Sequence, residues 1–286
     1  HPADGVTQSI RRITPRDLRR FDARYYQPSN AILVMVGDIT APAAFGLAQE
    51  YFGQWKGREA APLPRPVAAP PSAGVRIVAI DDPNAVQTVI RIGNRAVDRA
   101  SPDLAALTVA NQVLGGPAEN LLFSALRSQR GLVYGASSDL TCYRQSGAWE
   151  EKTSTRTDET VRTVQLVLDQ MRRLRGHALG SWDVENAQHY LAGHMALDFE
   201  TSQDIAARIA DILVYNLPLD YWSRFSQQIQ SVTVSEARGA VRRYLNSQGA
   251  DIVVVGNLGK LKDNLKKLGD VRMIPLADLD LENLEN

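Results

Sequence analysis

Residues 13–17, Ile13-Thr14-Pro15-Arg16-Asp17, and residues 232–236, Val232-Thr233-Val234-Ser235-Glu236, open two copies of one pattern. At the same offset of 219 positions, Arg24-Tyr25 falls on Arg243-Tyr244, Val34 on Val253, and Val36-Gly37 on Val255-Gly256. No gap is needed between Ile10/Ile229 and Ile39/Leu258. Each copy reads as a Thr-capped helix with an acid in its first turn, then a loop, then an apolar strand ending at Gly. An offset shared by two element types marks a duplicated domain. The second copy has a run-up that begins near Val75, so the first is expected to begin about 144 residues ahead of His1. On that reading the chain is the back part of a larger protein.

Working outward from the first copy, Ala41 to Phe52 returns to helical spacing, and then the composition breaks. Residues 57–75 are rich in Pro and Ala, with Pro62, Pro64, Pro66, Pro70 and Pro71, and read as an interdomain linker. Residues 1–56 hold two helices and the short strand Ala31–Val36, too little apolar area to fold alone. They read as the remnant of a first domain, completed by upstream residues or by another chain.

Residues 76–275 read as a second domain and 276–286 as a tail. Strands are expected over Arg76–Ile80 and Val86–Gly93, then a helix from Ser101 with Asp103 in its first turn. A second helix is expected over residues 118–129, and a hairpin over Leu132–Tyr143 and Gly147–Thr155. Five helices between Thr157 and Leu245, a strand at Ile252–Val255 and a final helix at Leu258–Leu268 complete the pattern. Hairpins beside a block of helices give an α+β fold: a two-layer α/β sandwich, mostly antiparallel sheet, with helices on one face.

Composition narrows the function. The chain carries 32 basic and 32 acidic residues, so nothing in its charge drives it to nucleic acid. No apolar run approaches the roughly 20 residues of a membrane span. The single cysteine, Cys142, excludes an internal disulfide and a cysteine-built metal site, and reads as a small apolar strand residue.

The run Leu114-Gly115-Gly116-Pro117, Leu121-Leu122, Leu126-Arg127 and Arg130-Gly131-Leu132-Val133-Tyr134 resembles the C-terminal half of the pitrilysin/insulinase family of zinc peptidases, which includes the mitochondrial processing peptidases. The resemblance implies two homologous α+β domains that close on each other across a linker, with zinc held by the N-terminal one in an inverted H-x-x-E-H motif. This sequence has no such motif. His189 and His194 are five apart on an expected helix, about 140° around it, and do not face one metal. His1 is terminal, and His177 has no carboxylate neighbours in sequence. No metal ligands are therefore assigned; no cofactor is expected in this chain, zinc belonging to the missing half or a partner.

The resemblance also implies an Arg and a Tyr seven residues apart, and Arg127 and Tyr134 match in type, spacing and placement. A phenol aimed at a carbonyl oxygen on which charge builds stabilises it, and a guanidinium fork holds a substrate carbonyl. Gly115 and Gly116 match a Gly-rich substrate-guiding loop, here stiffened by Pro117, and Arg130 is the second-ranked arginine for substrate binding. The implied partners are an extended peptide substrate and a zinc-bearing domain or subunit of the same family, or a second copy in a homodimer. The chain alone is expected to be inactive. A structural subunit of the same fold, or a peptide-binding module without catalysis, are the other readings. By analogy with bacterial relatives a periplasmic location is expected.

Overall fold

The computed structural model describes residues 4–59, 61–62, 73–117, 119–176 and 179–281. Most of the expected Pro-rich linker, residues 60 and 63–72, lies outside them. Helices α1 (Thr7–Arg12), α2 (Pro15–Tyr25) and α3 (Ala41–Phe52) precede strands β1 (Arg76–Asp81) and β2 (Gln87–Ala96). Helix α4 (Leu104–Gly115), a single turn α5 (Leu121–Phe123) and a π-helical turn (Ser124–Ser128) lead to β3 (Val133–Cys142) and β4 (Gly147–Arg156). Five helices follow: α6 (Thr160–Gly176), α7 (Ser181–Leu197), α8 (Ser202–Tyr215), α9 (Tyr221–Ser231) and α10 (Val234–Tyr244). The last elements are β5 (Asp251–Gly256), α11 (Lys262–Leu265) and β6 (Asp270–Pro275).

The described residues fall into two compact units. Those within 1–67, 197–218 and 280–286 make the first; those within 68–196 and 219–279 make the second. Residues 197–218, which carry α8, thus group with the N-terminal segment although they lie inside the 76–275 stretch of sequence.

The second unit is built on a six-stranded sheet in the order β3-β4-β2-β5-β1-β6. The β3/β4, β4/β2 and β2/β5 pairs are antiparallel, and β1 is parallel to both β5 and β6. Alternation in β2 decides which face is dry: Thr88, Ile90 and Ile92 are buried while Gln87, Val89 and Arg91 between them are exposed. On the dry side Ile77, Ile90, Ile92, Trp149, Ile252 and Val254 share one core with Leu107, Leu114, Val164, Met171 and Val241 from the helices. The fold is the expected α+β sandwich.

Both repeated helices start in the same way. Thr14 accepts a bond from the Asp17 amide at 3.3 Å while the Asp17 carboxylate accepts from the Thr14 amide at 2.9 Å. Thr233 and Glu236 make the same reciprocal pair at 3.2 and 2.8 Å. The copies then part. In the second unit α10 buries Ala237, Ala240 and Val241, and β5 is paired on both sides. In the first unit residues 31–36 form no strand, contrary to the sequence expectation. A ladder needs partners; among the described residues none lies beside this run, and Ile32, Leu33 and Met35 are exposed.

Three other boundaries move. The helix expected over 118–129 is α5 followed by the π turn, begun by Asn120, whose side chain accepts from the Phe123 amide at 2.8 Å. The final helix shrinks to α11, and β6 was not anticipated. Ser101 does not cap α4; Asp103 occupies the cap position, its carboxylate taken by Arg243 and Tyr244.

Candidate functional site

Gly131 sets the site geometry. It sits in the left-handed region at φ 62°, ends the π turn, and hands the chain to β3. Its amide bonds the Arg127 carbonyl at 2.8 Å, and the Leu132 amide bonds Leu126 at 2.9 Å. The extra residue of a π turn, a feature common at functional sites, carries Arg127 at its C-terminal end.

β3 is a sheet edge, and its register with β4 breaks between Val133 and Ala136. The bulge turns two consecutive residues, Tyr134 and Gly135, toward solvent. Side chains replace the missing ladder bonds: Thr153 Oγ1 donates to the Gly135 carbonyl and Thr155 Oγ1 to Leu132, each at 2.8 Å. Tyr134 is thereby 86% exposed.

The Arg127 guanidinium lies over the Tyr134 ring, 4.5 Å from its centroid, and 5.5 Å from that of Phe123. It also donates to the Tyr134 carbonyl. The two residues picked out seven apart in sequence are therefore in contact. Arg130 is not with them: its guanidinium donates to the Ala125 carbonyl at 2.8 Å and to Gln129 at 3.0 Å, tying down the π turn.

Tyr134, Gly115, Gly116 and Pro117 line one groove of about 710 Å³ together with Asn120, Phe123, Asp139 and Lys152. Gly115 is there for packing: a Cβ on it would stand 2.4 Å from the Ser138 amide nitrogen. Ser138 joins the helix layer to the sheet through Asn111 at 2.6 Å and the Trp149 indole at 2.7 Å. The loop after Gly116 is held by Gln112, which donates to the Pro117 carbonyl, and by Asn120, which donates to that of Gly116, both at 2.7 Å.

Across the open sheet face runs a chain of alternating charge. Arg91 pairs with Glu150 at 2.9 Å, Lys152 with Glu150 at 3.2 Å and with Asp139 at 2.7 Å. The Asp139 hydrogen bond holds Lys152 above the ordinary lysine range. Asn120, Phe123, Arg91, Asp139 and Lys152 were not singled out from sequence. Only Asn120, as a cap before Leu121-Leu122, left a readable signal.

Two further titratable groups are shifted by burial. Burial pushes the Cys142 thiol up to about 11, which disfavours the thiolate. Burial also pushes the Glu151 carboxyl well above its ordinary range, and neither of its oxygens has a hydrogen-bond partner among the described residues. His189 and His194 are exposed on α7, His194 stacking on Tyr190 at 5.7 Å, while His1 and His177 lie outside the described residues. Among the described residues no group of three or more His, Cys, Asp or Glu is placed to hold a metal. The donors described do not fit a zinc ion.

The peptidase M16 inactive domain matches this sequence over residues 12–191, well over half the chain. The chain belongs to the M16 peptidase family. An uncharacterised zinc protease of Mycobacterium leprae is 25% identical over 249 residues, 86% of this chain and 56% of that protein. The mitochondrial-processing peptidase subunit beta of Homo sapiens is 25% identical over 272 residues, 91% of this chain and 54% of that protein. Among solved structures, an M16 inactive domain from Pseudomonas fluorescens superposes with TM-score 0.81 at 29% identity, covering 90% of this chain and 60% of the other. A chain of complex III2 from Candida albicans shares the fold at TM-score 0.77 and 15% identity, covering 94% of this chain and 66% of the other. The chain spans a little over half the length of the curated relatives it matches.

Proposed function

We propose that this chain is the non-zinc region of an M16 zinc peptidase, binding an extended peptide and completing an active site whose zinc half lies upstream or in a partner subunit. The observation that carries this is the Arg127–Tyr134 contact at the groove. A tyrosine bulged out of an edge strand, 86% exposed and with its ring fixed on a guanidinium, presents its hydroxyl outward. With no further strand beyond β3 among the described residues, it is suited poorly to packing and well to contact with something that arrives.

On this proposal Tyr134 and Arg127 divide the labour. Tyr134 donates its hydroxyl proton to the peptide carbonyl oxygen on which negative charge builds during hydrolysis. Arg127 holds the Tyr134 ring and backbone in place, and its remaining guanidinium protons can take a substrate carbonyl. The free edge of β3 offers main-chain groups to an extended peptide, and the Gly115-Gly116-Pro117 loop walls the groove beside it. Because the zinc half supplies the rest, catalysis requires the two halves to meet.

Tyr134→Phe in the intact zinc-bearing protein tests this with little risk to folding, since the residue is exposed. Turnover of an unstructured peptide should fall roughly 100- to 1,000-fold in kcat with KM nearly unchanged. Arg127→Ala should lower kcat and weaken peptide binding together. Unchanged turnover in both variants would discard the reading. The second reading, a structural subunit of the same fold, predicts no effect of either substitution on any activity and normal assembly.

A further inference from the structure

In the second unit the repeated Arg-Tyr pair is a clamp. Arg243 grips the Asp103 carboxylate with two nitrogens, Nη2 at 2.6 Å and Nε at 3.2 Å, and the Tyr244 hydroxyl donates to it at 2.8 Å. Asp103 is the residue at which α4 begins, so the last turn of α10 holds the start of a second helix. The Arg243 guanidinium also lies 5.9 Å from the Tyr244 ring centroid.

The first unit carries the same pair at the same place on the same capped helix. Arg24 and Tyr25 fall on Arg243 and Tyr244, and Arg24 lies 5.3 Å from the Tyr25 centroid. Arg24 is exposed and Tyr25 half-buried, as are their counterparts. Among the described residues no carboxylate meets them. The same helix face is open: Leu18 is 61% and Phe21 55% exposed, whereas Ala237 and Ala240 at the matching positions are buried. Clamp and apolar face are therefore preformed for an occupant that the second unit possesses and that the described residues of the first do not supply.

We infer that Arg24 and Tyr25 form a carboxylate clamp for the start of a helix in the polypeptide preceding His1, the counterpart of α4. The inference rests on the reading that a homologous half precedes this chain. Charge complementarity sets the chemistry: an Asp or Glu at the helix start, taken by a guanidinium and a phenol, with an apolar helix face packed over Leu18 and Phe21. The 219-residue offset places that acid about 117 residues ahead of His1.

The test is a charge-reversal cycle in the intact gene product. Arg24→Glu should lower its melting temperature by roughly 2–4 °C, as should changing the aligned acid to Arg, and the double reversal should recover at least half the loss. In the 286-residue chain alone, Arg24→Glu should leave melting unchanged, because no occupant is present. Asp103→Arg with Arg243→Glu provides the matched control. Where Arg24→Glu prevents folding, Arg24→Gln enters the same cycle.

An upstream sequence without an acid within a few residues of the aligned position overturns the clamp, as does an equal loss in the short and intact chains. A dimer of the short chain that Arg24→Glu dissociates overturns it too, making a second copy the occupant. An upstream half that lacks zinc ligands but shows the charge coupling would remove the peptidase reading and leave the clamp standing.

Discussion

Thr14 and Thr233 begin helices whose first turns match bond for bond, yet one helix is covered and the other is not. Leu33 and Ile252 occupy the same position in the run that follows; Leu33 is 53% exposed and Ile252 1%. The local code is intact in both copies, and so the capping box forms in both. What differs is tertiary: β5 lies between β1 and β2, and residues 31–36 have no such flanks among the described residues. Helix starts are thus local property, while a strand exists only in company.

The widest separation between the copies should come from trimming these aligned apolar positions. Ile252→Ala should cost about 2–5 kcal/mol in denaturant unfolding of the second unit, whereas Leu33→Ala should cost less than about 0.5 kcal/mol in the same chain. If a homologous half precedes this chain, as the clamp proposal requires, Leu33→Ala in that longer protein should become costly as well. Equal losses in the short chain would mean that the first copy is already packed.

A smaller effect belongs to Glu151, buried in the second unit. Burial, with the Glu150 charge adding to it, holds its folded pKa well above the ordinary 4.5. Above 4.5 the unfolded chain gives up this proton while the folded one keeps it, so the group's contribution to stability falls as pH rises from that value to the folded pKa. Glu151→Gln should therefore raise the melting temperature of the second unit by a few degrees at pH 8 and by less at pH 5. A gain that is the same at both pH values would mean the carboxyl is ionised in the fold.

The smallest difference should be between the caps. Thr14→Ala and Thr233→Ala should each cost about 1 kcal/mol of local helix stability, because each removes the hydroxyl that accepts from the Asp17 or Glu236 amide and leaves the backbone amide–carboxylate bond in place. Hydrogen exchange at the Asp17 and Glu236 amides would show it. A much larger loss at Thr233 would mean that packing, rather than the cap, fixes the start of α10.

These contrasts also explain what the sequence revealed. Capped helix starts were readable at Thr14 and Thr233, and the β3–β4 hairpin through Gln145-Ser146-Gly147, because both depend on near neighbours. The apolar run 31–36 has the composition of a buried strand but forms none, because no flanking strands among the described residues realise it. β6, Asp270–Pro275, escaped notice because only β1 makes it a strand, and its residues are partly exposed. The π turn and the β3 bulge hide for another reason: each is one residue of mismatch, which no periodicity announces. At the site, Arg127 and Tyr134 came from a resemblance, whereas Asp139 and Lys152 join the groove because β4 lies beside β3, and Phe123 because α5 packs at its wall.

The strand order has a consequence for how the protein is made. β1 pairs with β5 and β6 and with nothing nearer in the chain, so Arg76 meets Asp251 across 175 residues. At translation speeds of about 5–20 residues per second, β1 waits roughly 10–35 seconds for its partner to emerge. β2, β4 and β3 can meanwhile assemble as they leave the ribosome, with Ile77 and Ala79 still unburied. A nascent chain of this fold carries a sticky, unpaired strand until residue 256 is out.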